Sequence, residues 1–155
     1  MFNLSKIFVT LLYIGYLKII PGTIGSLVAF IVILIAHNFL DKIYLYILFI
    51  TCFFLSLYLI NVYQKFIGKN DSPEIVIDEF LGVFTIFLFF DYYNNLHIFI
   101  ILALGFIFFR FFDILKPFPI SLIDKKIKNS FGVIFDDIIA GIYSTICLII
   151  INEII

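Results

Sequence analysis

The sequence predicts an all-α fold, a multi-pass membrane helical bundle whose chemistry-bearing residues gather at one interface. Three observations carry this expectation. The 155 residues are 64% hydrophobic with a mean hydropathy of +1.21, well above the balance of soluble domains. Residues 43–63, IYLYILFITCFFLSLYLINVY, contain no charge and as a helix would rise roughly 31 Å, about one hydrocarbon core. Most of the charged residues also fall in segments that alternating spans would return to the same side. The length suits one domain, 1–155. A formal net charge of −1 offers no basic excess for a nucleic-acid partner, and no feature of the chain points to a protein partner.

Taken in order, residues 4–17 are too short to cross comfortably and are expected at the interface or packed on the bundle. Lys6 followed by IFVTLLYIGYL loosely resembles a signal peptide. The run lacks a small-x-small cleavage pattern and Lys18 interrupts it, so the segment is expected to stay in the mature chain. Residues 24–40 form a span, Asp41-Lys42 a very short turn, and 43–63 the returning span. Residues 80–91 and 96–112 read as a second pair around DYYNNLH, the first member short and beginning deeper through IVIDEF. Residues 138–155 supply the last span. Cys52 and Cys147 sit in apolar runs and read as small buried hydrophobes.

Charge sets the expected orientation. The turns at 41–42 and 92–97 hold one basic residue, Lys42, while the opposite side holds Lys18, Lys65, Lys69, Arg110, Lys116, Lys125, Lys126 and Lys128. A Lys/Arg excess marks the cytoplasmic side. Asp41, Asp91 and Glu153 fall at the outer ends, whereas Asp71, Glu74, Asp78, Glu79, Asp113, Asp124, Asp136 and Asp137 fall on the basic side.

Four clusters converge there. In PGTIGSL, Pro21 to Leu27, Gly22 and Gly25 permit a tight turn, Thr23 or Ser26 can cap the following helix, and free N–H groups at such a terminus attract phosphate. In DSPEIVIDEFLG, Asp71 to Gly82, Asp78 and Glu79 head an apolar helix; the helix dipole accounts for one acid there but not two followed by a membrane run. In FFRFFDILKPFPISLIDKK, Arg110, Asp113 and Lys116 are spaced three apart on one helical face before Pro117 and Pro119 end the helix, which also suits a self-neutralising ion-pair stripe. In FGVIFDDIIAG, Asp136 and Asp137 are adjacent and so point in different directions, with Gly132, Ala140 and Gly141 small enough for close approach. An aspartate at the bilayer centre costs roughly 2.5–3.5 kcal/mol, so the pair needs an interface, a polar cavity or a counter-cation. Many carboxylate oxygens beside Arg and Lys are what a hard divalent cation and a phosphate group require together.

These motifs resemble the phosphatidylglycerophosphatase A family of magnesium-dependent membrane lipid phosphatases. The family's PGTxGS turn, D-P-x-x-x-V-x-D-E-x-x-G-like segment, F-R-x-F-D-x-x-K-P-x-P-I segment with a following Asp, and G-I-M-x-D-D-x-x-A-G segment correspond to Pro21–Ser26, Asp71–Gly82, Phe109–Ile120 with Asp124, and Gly132–Gly141. The likeness runs in the same order over residues 15–145. Ser72 intervenes before Pro73 where the family has Asp, and the extra glycine and the methionine before the final acid pair are missing; no carboxylate is lost. The resemblance implies Asp78, Glu79, Asp136 and Asp137 as Mg2+ ligands or general base, and Arg110 and Lys116 as phosphate holders. Asp113 would orient these cations or ligate metal, and Gly22, Thr23, Gly25 and Ser26 would supply donors to the substrate, with Asp124 beside them. It further implies hydrolysis of the terminal phosphomonoester of phosphatidylglycerophosphate, an anionic phospholipid, by direct attack of water or through a transient aspartyl-phosphate. The implied location is the bacterial inner (cytoplasmic) membrane with the catalytic face cytoplasmic.

Other chemistries fit less well. No Cys-x5-Arg loop or D-x-D-x-[TV] nucleophile motif occurs, and His37 and His97 lie toward the opposite face. A CDP-alcohol phosphotransferase would carry D-G-x2-A-R…G-x3-D-x3-D, which is absent. A small cation or proton transporter would line a pathway with acids, but the helix centres here are apolar.

Overall fold

A computed structural model describes residues 2–69 and 72–155; Asp71, the first residue of the second motif, lies outside this range. The described residues form seven α-helices: α1 Phe2–Val9, α2 Pro21–Phe39, α3 Lys42–Ile67, α4 Ile77–Leu88, α5 Ile98–Leu115, α6 Ile120–Lys126 and α7 Ser130–Ile154, with single 3-10 turns at Ile14–Tyr16 and Phe90–Tyr93. The all-α expectation holds. Helices α2, α3, α5 and α7 are long and apolar enough to cross a membrane, and exposed Ile31, Ile47, Phe54, Phe99 and Ile107 give their outer faces the apolar character that lipid contact requires.

Local chemistry explains the helix ends. Pro21 opens α2, where its missing N–H costs nothing, and Gly68 at φ 72 closes α3 in the left-handed conformation glycine tolerates. The Asn129 side chain accepts from the Gly132 N–H at 3.1 Å and caps α7. Several boundaries differ from the sequence expectation. Helix α2 begins at Pro21 rather than at residue 24, so PGTIGSL is its first turns and not a loop. Its N-cap is Ile20, without a side-chain cap; Ser26 instead donates back to the Gly22 carbonyl at 2.7 Å. Helix α7 begins at Ser130, not 138, which places Asp136 and Asp137 two turns inside it.

The expected span at 80–91 is also corrected. Helix α4 has 12 residues, eight of them buried, and rises roughly 18 Å. It is therefore a short helix enclosed by the others and packed chiefly on α7. The crossing is close because both helices present glycine: a Cβ on Gly141 would run into the Gly82 carbonyl oxygen, and one on Gly82 would meet the Phe109 ring and the Asp137 carbonyl. Phe30, Phe84, Phe87, Phe109 and Leu148 form the core around this crossing.

The two ends of the bundle are chemically distinct. At one end, Lys42 pairs with Asp91 at 2.6 Å, and Asn152 receives the Asn95 N–H at 2.9 Å, so the turn at 41–42 reaches the residue before the turn at 92–97, which itself meets the end of α7. His37 lies there against Phe90, ring centroids 4.3 Å apart. The four motifs lie at the opposite end. Residues 4–17 pack on the bundle: Tyr16 and Tyr63 share a hydroxyl hydrogen bond of 2.8 Å, and the Val76 N–H donates to the Val9 carbonyl at 2.9 Å; just before them, Phe2 stacks on Tyr63.

Candidate active site

Helix α4 starts at Ile77, which puts Asp78 and Glu79 in its first turn. Helix α7 carries Asp136 and Asp137 about 10 Å along from its start, and α5 brings Arg110 and Asp113 toward the same level. The site is thus recessed below the helix ends. One carboxylate oxygen from each of Asp78, Glu79 and Asp137 lies within 4.8 Å of the other two. The glycine crossing sets that spacing, because Asp78 precedes Gly82 by four residues and Asp137 precedes Gly141 by four; each acid lies one helical turn above the contact.

The neighbouring aspartates diverge, as adjacency on a helix requires. Asp137 faces Asp78 and Glu79. Asp136 accepts from Lys116 Nζ at 2.7 Å, and the same ammonium reaches Asp124 at 2.8 Å. Lys116 lies just beyond α5 in the left-handed region, φ 44, a conformation that costs a non-glycine residue roughly 1–2 kcal/mol and is here held by two ion pairs. Burial alone would lower the Lys116 pKa, but the hydrogen bonds to Asp124 and Asp136 outweigh it and raise it. The Lys116 hydrogen bond, opposed by partial burial, holds the Asp124 carboxyl below its usual range. The predicted Arg110–Asp113–Lys116 stripe is therefore split. Arg110 Nη1 binds Asp113 at 2.5 Å and lies 3.8 Å from Glu79 Oε1, while Lys116 turns to the α6–α7 side.

Helix α2 closes the site from the remaining direction. A methyl on Gly22 would collide with the Glu79 carboxylate and lie 3.3 Å from Arg110 Nη1, so glycine here leaves Glu79 and Arg110 their present positions beside the start of the helix. The N–H groups of Gly22 and Thr23 precede the first helical hydrogen bond, from Ile24 to Ile20, and are free to donate. Gly25 packs on Val76. Ser26 is buried and its hydroxyl lies 3.5 Å from Arg110 Nη1, so both sit behind the site rather than in it. The loop before α4 is held from outside: a side chain at Gly15 would overlap the Glu74 carbonyl, and Ser72 donates to the Glu74 carboxylate.

These groups line a cavity of about 450 Å³ that holds six carboxylates, Asp78, Glu79, Asp113, Asp124, Asp136 and Asp137, against three cations, Arg110, Lys116 and Lys128. Lys128, 3.7 Å from Asp124, is a site residue that the motif reading passed over; its i,i+4 spacing from Asp124 was the available signal. Glu79 Oε2 and Arg110 Nε are buried without a partner. A surplus of acid, a three-carboxylate cluster and an orphaned carboxylate oxygen fit a divalent cation bound by hard oxygen ligands. The adjoining cations and free N–H groups fit the oxygens of a phosphate.

Fold and site together define an integral membrane protein with an acidic, cation-flanked cavity at one end, an arrangement suited to phosphoester chemistry at a lipid headgroup. Residues 7–152 match the family described as "Phosphatidylglycerophosphatase A". The chain is 41% identical over 133 residues to the phosphatidylglycerophosphatase A of Haemophilus influenzae, covering 85% of this chain and 78% of the relative. It is 33% identical over 132 residues to that of Escherichia coli, covering 84% and 73%. The chain belongs to the phosphatidylglycerophosphatase A family. No solved structure matches it.

Proposed function

We propose that this protein hydrolyses the terminal phosphomonoester of phosphatidylglycerophosphate, yielding phosphatidylglycerol and phosphate, with Mg2+ held by Asp78, Glu79 and Asp137. The observation that carries the reading is the convergence of three clustered carboxylates, two cations suited to phosphate and a helix N-terminus on one cavity in a chain of this family. A divalent cation there would offset the acidic surplus and the charge on the transferring phosphoryl group. Arg110 binds phosphate oxygens from the α5 side, where Asp113 fixes its guanidinium plane. Lys116, tethered by Asp124 and Asp136, approaches from the α6–α7 side. The Gly22 and Thr23 N–H groups donate from the start of α2. Water attacks phosphorus as the bond to the glycerol oxygen breaks; a cavity carboxylate takes the water's proton, and the leaving alkoxide is protonated from solvent. The low dielectric of the surrounding helices strengthens each of these interactions.

The Lys/Arg excess around the cavity end supports a cytoplasmic catalytic face in a bacterial inner membrane. The test is phosphate release by purified protein from phosphatidylglycerophosphate, after chelation and then with Mg2+ restored. Release should stop in EDTA and recover with Mg2+. Full release in excess EDTA would discard the metal, and no release under any condition would discard the activity.

A further inference from the structure

We infer that the substrate's acyl chain lies in a groove between α2 and α5, so that the lipid reaches the cavity laterally from the bilayer through these two helices. The groove has a volume of about 190 Å³ and is lined by Leu27, Phe30, Ile31 and Leu34 of α2 with Leu102 and Phe106 of α5, all hydrocarbon side chains. It lies on the same stripes that carry the site. On α5, residues 102, 106, 110 and 113 share one face, so Phe106 sits one turn, about 6 Å along the helix axis, below Arg110. On α2, Leu27 and Ile31 continue the face of Thr23, one and two turns below the free N–H groups.

The mouth between groove and cavity is apolar on the side of Arg110. Ile20 and Ile114 line the cavity and are exposed to 60% and 67%, placing apolar shoulders at the start of α2 and the end of α5. The floor is closed by Phe30, which packs edge-on against Phe106 and approaches α5 because residue 105 is glycine, where a Cβ would lie 3.3 Å from the ring. The α6–α7 side is less suited to an acyl chain, because the Lys116–Asp124 and Lys128–Asp124 pairs stand beside Ile127 and Val133 there. A chain moving from bilayer to groove exchanges one apolar surrounding for another, so the groove contributes position more than affinity, holding the headgroup at the height of Arg110.

The inference rests on the lipid phosphatase reading, and its test separates the two. Phosphatidylglycerophosphate bearing a diazirine midway along one acyl chain is incorporated in phosphatidylcholine vesicles with the intact protein and irradiated. Labelling of α2 and α5 that excess unlabelled phosphatidylglycerophosphate displaces, and phosphatidylcholine does not, is the expected result. Displaceable labelling confined to α6 and α7, or none, overturns the groove. In parallel, Leu27→Trp and Leu102→Trp are compared on the dipalmitoyl substrate and on its deacylated, chain-free counterpart. The ratio of kcat/KM between the two, which does not depend on how much of the variant folds, should fall about tenfold. An unchanged ratio overturns the proposal. A wild-type protein that releases no phosphate would overturn the phosphatase reading, while displaceable labelling would still decide the groove.

Discussion

Gly141→Ala tests whether the α4–α7 crossing sets the geometry of the carboxylate cluster. The added methyl would point at the Gly82 carbonyl oxygen, a backbone atom that no side-chain rotation can move, so the helices must separate by something on the order of 1 Å. Overpacking of this kind costs about 1–3 kcal/mol, while replacing glycine by alanine inside a helix returns about 0.8–1 kcal/mol. The net loss of stability is therefore at most about 2 kcal/mol, and the protein should still fold. Activity should suffer far more. Asp137 and Asp78 lie one turn from the contact, so separation opens the cluster, and a misplacement of about 1 Å can cost roughly 100-fold in rate. The assay compares turnover on phosphatidylglycerophosphate, the Mg2+ concentration for half-maximal activity and the melting temperature in detergent. Ile142→Ala, on the exposed side of the same helix, is the comparison. Gly141→Ala with unchanged turnover and Mg2+ requirement would refute the reasoning, and so would losses matched by Ile142→Ala.

Asp78→Asn, Glu79→Gln and Asp137→Asn should each lower turnover by orders of magnitude in folded protein, because amides keep the shape but bind a divalent cation weakly; Asp91→Asn, paired with Lys42 at the far end, should not, and equal losses would indicate general destabilisation. The Lys116–Asp124 pair gives a pH prediction. The lowered Asp124 pKa stabilises the fold above the unfolded value near 3.9 and is lost as pH falls through the folded one, while the raised Lys116 pKa stabilises below about 10.4 and is lost as pH rises through its folded value. The difference in melting temperature between wild type and Asp124→Asn should therefore be constant between about pH 5 and 9, at the equivalent of about 1 kcal/mol; a variant that melts with the wild type across this window would remove the pair from the account. For topology, Cys52 and Cys147 are first replaced. Lys69→Cys and Lys128→Cys should then be labelled only from the cytoplasm and Asn94→Cys only from outside, whereas labelling of 69 and 128 from opposite faces would dismantle the single cavity.

The sequence by itself determined the membrane class, the gathering of the charge at one end of the bundle and most of the residues that meet there. Hydropathy and charge sum along the chain, so an uncharged run such as 43–63 declares a span, and the surplus of Lys and Arg declares an end, before any helix has packed. The divergence of Asp136 and Asp137 was also legible, since adjacent positions on a helix cannot share a face. Only the tertiary structure decided which group answers which. Lys116 could have closed a stripe with Asp113, yet it joins Asp124 and Asp136, because the chain leaves α5 in a left-handed residue and returns through α6. Gly22 and Gly25 looked like turn formers and proved to be helical positions where Glu79 and Val76 press against the backbone. Helix α7 began two turns earlier than the apolar run suggested, since Asn129 caps it ahead of the charges. In a chain so rich in Ile and Phe, every face of a helix is apolar, and periodicity cannot say which face turns inward. That choice was made by the small residues at the α4–α7 crossing, through interhelical distances that no single segment encodes.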